Sequence, residues 1–362
     1  MDGVAHVAAG VLGGLLVLWV LLSAIRQVVL PRGDPVMLSR WVFLSVRTLF
    51  NLALKPAKTY EQRDRAMALY APISLVLLPG AWLALVLSGF TAVFWGLGVH
   101  PVRQAFSASG SSLFTLGVTA PRDLPTTAAS FTEASLGLGL AGLLISFLPS
   151  IYAAFQRREL GVAQLGTRAG EPPSAMEMVV RFHRLQRLDG LDDMWEVWER
   201  WFADIEETHS SQASLVFFRS ISHGRSWVTS AGVVLDTASI RAALLDLPRN
   251  PPAELCIRAG YLALRRIAGY FGTPFDPDPR PDDPISIDRS EFDDMCERLA
   301  NEGVPLKADR DQAWRDFAGW RVNYDAPLLA LAGLTMAPYA LWSSDRSIAY
   351  RRPPLIPFRR RR

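Results

Sequence analysis

One short polar stretch, residues 107–119, has the residue types that could line an ion pathway. It reads SASGSSLFTLGVT and holds four serines, two threonines and two glycines between two long apolar segments. Backbone carbonyls and threonine hydroxyls can replace the hydration shell of a cation. The candidate ion-selectivity residues are Thr115, Leu116, Gly117, Val118 and Thr119. An ordinary surface loop is the alternative interpretation.

Residues for covalent or metal chemistry show no comparable organisation. Three histidines are scattered over predicted helices and are expected to be structural: His183, His209 and His223. A proline-rich run at 272–287 contains four aspartates without EF-hand spacing: Asp276, Asp278, Asp282 and Asp283. The sequence has no phosphate-binding loop or dinucleotide fingerprint. We therefore expect no enzyme activity, no metal site, and no cofactor other than a permeant monovalent cation such as K⁺ or Na⁺.

Charge is distributed unevenly along the 362 residues. Residues 1–155 hold 10 Lys/Arg and 6 Asp/Glu, whereas residues 156–362 hold 28 and 29. This asymmetry predicts a membrane part followed by a soluble domain. Three runs without a formal charge are long enough to cross a bilayer: 4–25, 66–97 and 134–155. No Lys or Arg precedes the first run, which favours an anchor over a signal peptide.

The distribution of basic residues predicts the orientation. The linker 26–68 carries eight Lys/Arg against three acids, whereas 98–130 carries only two. By the positive-inside rule, 26–68 is cytoplasmic and 98–130 lies outside. We expect a multi-pass protein of the plasma (inner) membrane, with its N-terminus outside and its C-terminus cytoplasmic.

The elements around the polar stretch predict a re-entrant loop. Pro101 can begin a short helix over 102–114, and a turn follows at 120–123. Non-helical backbone at membrane depth is tolerated where protein buries it or water lines it. The third apolar run contains candidate gating hinges, for which close helix packing is an equally good explanation: Gly137, Gly139, Gly142 and Pro149.

Residues 105–119, AFSASGSSLFTLGVT, resemble the pore helix and filter of two-transmembrane potassium channels. Residues 140–159 are similar to the inner helix of prokaryotic members of that superfamily. The resemblance implies an outer helix, a re-entrant pore helix with filter, an inner helix, and a homotetramer around a central pore. The expected fold is an all-α membrane protein in three parts. These are an N-terminal transmembrane and interfacial segment (1–65), a pore module (66–159) and a helical cytoplasmic domain (160–362).

The filter departs from the family pattern Thr-Val-Gly-Tyr-Gly. Thr115, Leu116 and Gly117 match the first three places, but Val118 replaces the aromatic residue and Thr119 the second glycine. A β-branched residue is disfavoured in the left-handed backbone conformation that glycine allows. The resemblance therefore implies a monovalent cation channel with weak selectivity. A non-conducting scaffold or sensor that retains the pore fold is the alternative, and a membrane-anchored enzyme a more distant one.

Two apolar segments outside the pore module have their own expectations. Residues 36–54 place Arg40 and Arg47 on one helical face, which predicts an amphipathic helix in the membrane plane, with a fourth span as the alternative. The charge-free run 326–342 is expected to be a buried helix of the domain or a helix leaning on the membrane.

Periodicity predicts further helices in the cytoplasmic part: 191–208, 212–223, 228–247, 253–271, 290–302 and 309–321. The tryptophan-rich face of the first is expected to be core or a subunit contact. Cys256 and Cys296 are expected to be small buried residues in a reducing compartment. The basic tail, Arg351, Arg352 and 359–362, is expected to be solvated or near lipid, with no nucleic-acid partner. No ligand or protein partner of this domain is indicated.

The predicted orientation can be tested by cysteine labelling. A cysteine introduced at Pro125 should react with an impermeant maleimide in intact cells. Cysteines at Tyr60 or Arg280 should react only after the membrane is permeabilised. Labelling of the Tyr60 position from outside would contradict the predicted orientation.

Overall fold

The computed structural model describes residues 2–28, 37–54 and 59–347. Their regular secondary structure is helical, and one isolated antiparallel bridge joins Leu245 to Leu306. The α-helices are α1 (Asp2–Val28), α2 (Met37–Ala53), α3 (Tyr60–Met67), α4 (Tyr70–Gly96), α5 (Val102–Leu113), α6 (Leu124–Ala169), α7 (Ala175–Arg184), α8 (Trp195–Ser211), α9 (Trp227–Ala243), α10 (Pro251–Tyr270), α11 (Arg289–Asn301), α12 (Arg310–Arg321) and α13 (Asp325–Thr335). The all-α fold class is therefore confirmed.

The described residues pack into two compact units. The first unit comprises those of 1–55 and 69–153, and the second those of 56–68 and 154–362. Three helical segments are long and apolar enough to cross a membrane: Gly3–Val28, Tyr60–Gly96 and Leu124–Ala169. Each contains, to within one residue, one of the three charge-free runs, so the number and positions of the candidate spans agree with the sequence.

Small residues bring α1 and α4 together in the first unit. A Cβ added at Gly13 would lie 2.3 Å from the carbonyl oxygen of Gly89, and one at Gly96 would lie 2.7 Å from that of His6. Such close backbone approach is typical of helix pairs in membranes, where small residues replace hydrophobic side chains at the contact. Beside these glycines, Val17, Val20 and Val86 are buried in the same unit.

Helix α2 corresponds to the predicted amphipathic segment. Its exposed face carries four apolar side chains: Met37, Trp41, Leu49 and Leu52. Its polar side chains Ser39 and Arg47 are buried, and the Ser39 hydroxyl donates to Oε1 of Gln27 at 2.7 Å. An outward apolar stripe suits a helix in the membrane plane, and that location stays a prediction.

The second unit has a tryptophan-rich core. Trp195, Trp198, Trp201 and Phe202 of α8 are all buried, which confirms the core interpretation of this stripe. The indole N–H of Trp201 donates to the carbonyl of Arg158 at 3.1 Å, and the ring packs against Gly161 of α6. Helix α13 is largely buried in the same core. This agrees with the first alternative for 326–342, a buried helix of the domain.

The helix predicted over 212–223 is wrong. Only a short 3₁₀ turn, Ala213–Phe217, forms before the chain becomes irregular. The guanidinium of Arg158, which is fully buried, donates to the carbonyls of Leu215 and Phe218 at 2.8 Å each. The Leu215 carbonyl also accepts from Phe218 N–H at 3.1 Å, and Phe218 itself has extended backbone. The helix therefore ends at this point, and Arg158 holds the irregular segment that follows.

Other parts of the second unit agree with or extend the sequence analysis. Cys256 and Cys296 are buried and unpaired, as expected. The run 272–287 contains no regular element apart from turns. Helices α3 and α7 were not predicted. The basic tail lies outside the described residues, and the three-part division of the chain stays a prediction.

His209 is enclosed in the second unit. It is fully buried, its ring packs at a tilt of 54° against Trp227, and Nε2 lies 3.2 Å from an Arg158 nitrogen. Burial lowers its pKa well below the ordinary value, and the positive charge of Arg158 lowers it further. His209 is therefore neutral in the folded chain, and its role is structural.

This histidine predicts a pH-dependent stability. The unfolded chain binds a proton at His209 below about pH 6.5, whereas the folded chain does not. The contribution of His209 to the free energy of unfolding is therefore fully present above that pH and is lost as the pH falls. At pH 5.5 the loss from this group is roughly 1.4 kcal/mol. His209→Gln keeps an acceptor for Arg158 and should remove this contribution in denaturant titrations followed by tryptophan fluorescence. The control His183→Gln should keep it, and an unchanged pH dependence in His209→Gln would contradict the assignment.

Candidate functional site

The candidate site is the segment between α4 and α6 in the first unit. Helix α4 ends at Gly96, and the positive φ of Gly98, 91°, turns the chain while Val99 N–H donates back to the carbonyl of Phe94. This is the glycine-based ending common in helices. The carbonyl of Pro101 then accepts from Gln104 N–H at 2.7 Å. The short helix predicted over 102–114 is thus present as α5.

Ser109 anchors α5 to both neighbouring helices. Its hydroxyl is fully buried, 3.0 Å from the carbonyl of Leu87 on α4 and 2.5 Å from Oε1 of Glu133 on α6. A hydroxyl has one hydrogen to donate. The Ser109 hydroxyl therefore lies between two acceptors, one on each neighbouring helix, and ties α5 to both.

Glu133 is the polar residue that sequence reasoning missed. It is fully buried, and its Oε2 has no hydrogen-bond partner among the described residues. The signal was available, because Glu133 is the single acidic residue between Asp123 and Glu159. An ionisable residue in an apolar, membrane-length segment is by default a candidate for function.

The chain leaves α5 after Leu113 and folds back on Ser111. The N–H of Leu116 donates to the Ser111 carbonyl at 2.9 Å, and the N–H of Thr119 donates to the Ser111 hydroxyl at 3.1 Å. These bonds hold residues 115–119 against the end of α5 without strand or helix. The carboxylate of Asp123 then accepts from Thr126 N–H at 2.9 Å at the start of α6.

The five candidate ion-selectivity residues lie together on this loop. All are exposed in the single chain, including Leu116 (63 %) and Val118 (76 %). Left-handed backbone occurs at Thr115 (φ 53°) and Gly117 (φ 70°). Thr119 is not among the positive-φ residues, so the strained β-branched position is Thr115.

The predicted hinge residues all lie within the unbroken helix α6. A Cβ at Gly137 would lie 2.5 Å from the carbonyl oxygen of Leu113 at the end of α5, so this glycine allows close packing. Gly139 and Gly142 have open space around them. Pro149 lies inside the helix and removes one backbone donor. The structure thus gives Gly137 a packing role next to the candidate loop.

The arrangement suits weak binding of a cation. The C-terminal end of α5 carries partial negative charge, and the threonine hydroxyls and backbone carbonyls of 115–119 are neutral oxygen ligands of the kind used in ion filters. Among the described residues, no group of three or more His, Cys, Asp or Glu side chains could hold a metal ion.

Comparisons of the chain with protein families, with curated proteins and with solved structures found no match. Functional inference therefore depends on the residues and their geometry.

The contact between α5 and α6 can be tested with two alanine substitutions. Gly137→Ala should destabilise the protein by about 1–3 kcal/mol, because its methyl group collides with the Leu113 backbone. Gly139→Ala should leave stability unchanged or raise it by up to about 1 kcal/mol, since alanine favours a helix. Thermal unfolding of both variants in detergent measures this. A Gly137→Ala protein as stable as the parent would contradict the packing role.

Proposed function

We propose that this protein is the subunit of a homotetrameric, potassium-channel-like pore for monovalent cations. The observation that carries the proposal is the short helix α5. It lies between two helices of membrane length and is followed by an exposed loop with the sequence TLGVT. In this proposal, α4 is the outer helix, α5 the pore helix, residues 115–119 the filter and α6 the inner helix.

The anchoring of α5 supports the proposal. A filter needs its oxygen ligands held in fixed positions, and α5 is held by the buried Ser109 hydroxyl and by the contact of Leu113 with Gly137. Ser111 fixes the loop through its carbonyl and its hydroxyl. An ordinary surface loop needs none of these buried polar contacts.

Exposed apolar side chains support assembly in a membrane. Large side chains of α5, the loop and α6 are exposed in the single chain: Phe106, Leu116, Val118, Phe131, Leu138 and Ile145. Lipid and neighbouring subunits are the surroundings that suit such a surface. A central filter built from one loop per chain requires four chains, which is why we propose a tetramer.

The loop residues support weak selectivity. Thr119 stands where the family has a glycine and does not adopt left-handed backbone. The outer carbonyls therefore lack the conformation that a second glycine provides. Fewer binding levels discriminate less well among monovalent cations. A filter with fewer binding levels also suits the second candidate, a non-conducting scaffold or sensor that retains the pore fold.

Ion flux in liposomes tests the proposal. The purified protein, with its particle mass measured in mild detergent, should be tetrameric and should pass K⁺ and Na⁺ but not Cl⁻. Thr115→Ala should lower the cation flux, whereas Thr132→Ala on the exposed side of α6 should not. Val118→Tyr combined with Thr119→Gly should raise the K⁺/Na⁺ permeability ratio.

Three results would decide against parts of this proposal. Absence of cation flux from a tetrameric preparation would favour the scaffold, and a monomer or dimer would contradict the central pore. Strong K⁺ selectivity of the parent protein would mean that Thr119 does not limit the filter.

A further inference from the structure

A cavity of about 200 Å³ lies in the second unit. Its walls come from the first turn of α7, the middle of α9, the helix α11 and the segment that contains Trp342. A space of this size can hold several waters or a small organic molecule.

A buried carboxylate forms part of the cavity wall. Asp236 of α9 is 2 % exposed, and its Oδ1 accepts from Arg321 at 2.6 Å and from the Tyr324 hydroxyl at 2.9 Å. Within the described part of the chain, Oδ2 accepts no hydrogen bond. Burial raises the pKa of Asp236 despite the nearby Arg321. Oδ2 is therefore the carboxylate oxygen that is left for a ligand.

The groups around the cavity carry an excess of negative charge. Arg321 is shared between Asp236 and Asp325. Arg346 is likewise shared between Glu291, which lines the cavity, and Asp345.

Helix α11 adds one more negatively charged and one more positively charged side chain to the cavity wall. Asp294 and Arg298 line the cavity, and neither has an ion pair or a side-chain hydrogen bond in the region that the structure describes. Three carboxylates and one guanidinium group therefore line the cavity, and with their ion-pair partners the count is five carboxylates to three guanidinium groups. This imbalance favours a cationic occupant.

Apart from Ser174, the rest of the wall is apolar. Met176, Val233, Met295 and Trp342 line the space. Such side chains suit the hydrocarbon part of a ligand, and the face of an indole also attracts cations. Calcium fits poorly, because it requires six to eight oxygen ligands. The carboxylates here do not converge into a metal-binding group among the described residues.

We propose that this cavity binds a small organic cation, a protonated amine with an apolar body, whose ammonium group is bound by the Asp236 carboxylate. The inference is independent of ion conduction, since it depends only on the second unit. The ammonium group supplies the donor that Oδ2 of Asp236 lacks, and the apolar wall excludes water from the rest of the molecule.

Isothermal titration calorimetry on the full chain in detergent tests the proposal. The probes are n-butylammonium and phenethylammonium, with the neutral alcohols 1-butanol and 2-phenylethanol for comparison. At least one amine should bind, and its alcohol should bind at least about ten-fold more weakly, because a charge-assisted hydrogen bond is lost. Asp236→Asn should weaken amine binding to a similar degree. Asp246→Asn removes the same charge from an exposed position elsewhere in the unit and should leave binding unchanged.

A second variant covers the case in which Asp236→Asn fails to fold. Met176→Trp fills the cavity without touching the ion network and should also abolish amine binding. The proposal is overturned if neither amine binds the parent chain, if alcohols bind as well as amines, or if both cavity variants bind normally. It is also overturned if amines bind only after residues 348–362 are deleted. That result would assign the cavity to the arginine side chains of the chain's own tail.

Discussion

The two hydrogen bonds accepted by Ser111 hold the loop on which the candidate site depends. Its carbonyl accepts from Leu116 N–H and its hydroxyl from Thr119 N–H. Between two helices of membrane length, backbone groups that leave regular structure need partners from the protein itself. One serine supplies two of these partners, because a serine offers both a backbone and a side-chain acceptor. The loop can therefore present its oxygens outward without any strand pairing.

The serines around Ser111 have different roles, which explains why the polar stretch is long. Ser107 and Ser112 donate to carbonyls one turn earlier in α5, so they satisfy themselves within the helix. Ser109 instead contacts α4 and α6, and Gly137 lets the α5 backbone approach α6. A helix of 12 residues is marginal alone. Its stability comes from these contacts, and they also fix where the loop begins.

The sequence predicted well what depends on charge and periodicity, and poorly what depends on a distant partner. The charge-free runs located the long helices, and Pro101 located the start of α5. The helix predicted over 212–223 was wrong, since Phe218 is extended and the irregular segment is held by Arg158, more than 50 residues earlier. Backbone strain was expected at Thr119 by analogy with a glycine, whereas left-handed backbone occurs at Thr115. Neither the contact of Arg158 with this segment nor the left-handed backbone at Thr115 could be inferred from local sequence.

Two arginines in the second unit are fully buried, one among backbone carbonyls and the other between two carboxylates. Arg158 binds backbone carbonyls and the neighbouring Glu159, so it chiefly orders irregular backbone. Arg321 lies between Asp236 and Asp325, and two carboxylates raise its pKa and leave net negative charge. Buried ion pairs seldom add stability over apolar packing of the same volume. Asp325 also accepts from the N–H and the hydroxyl of Ser286, whereas the charge of Asp236 at the cavity wall would be balanced by a cation bound there.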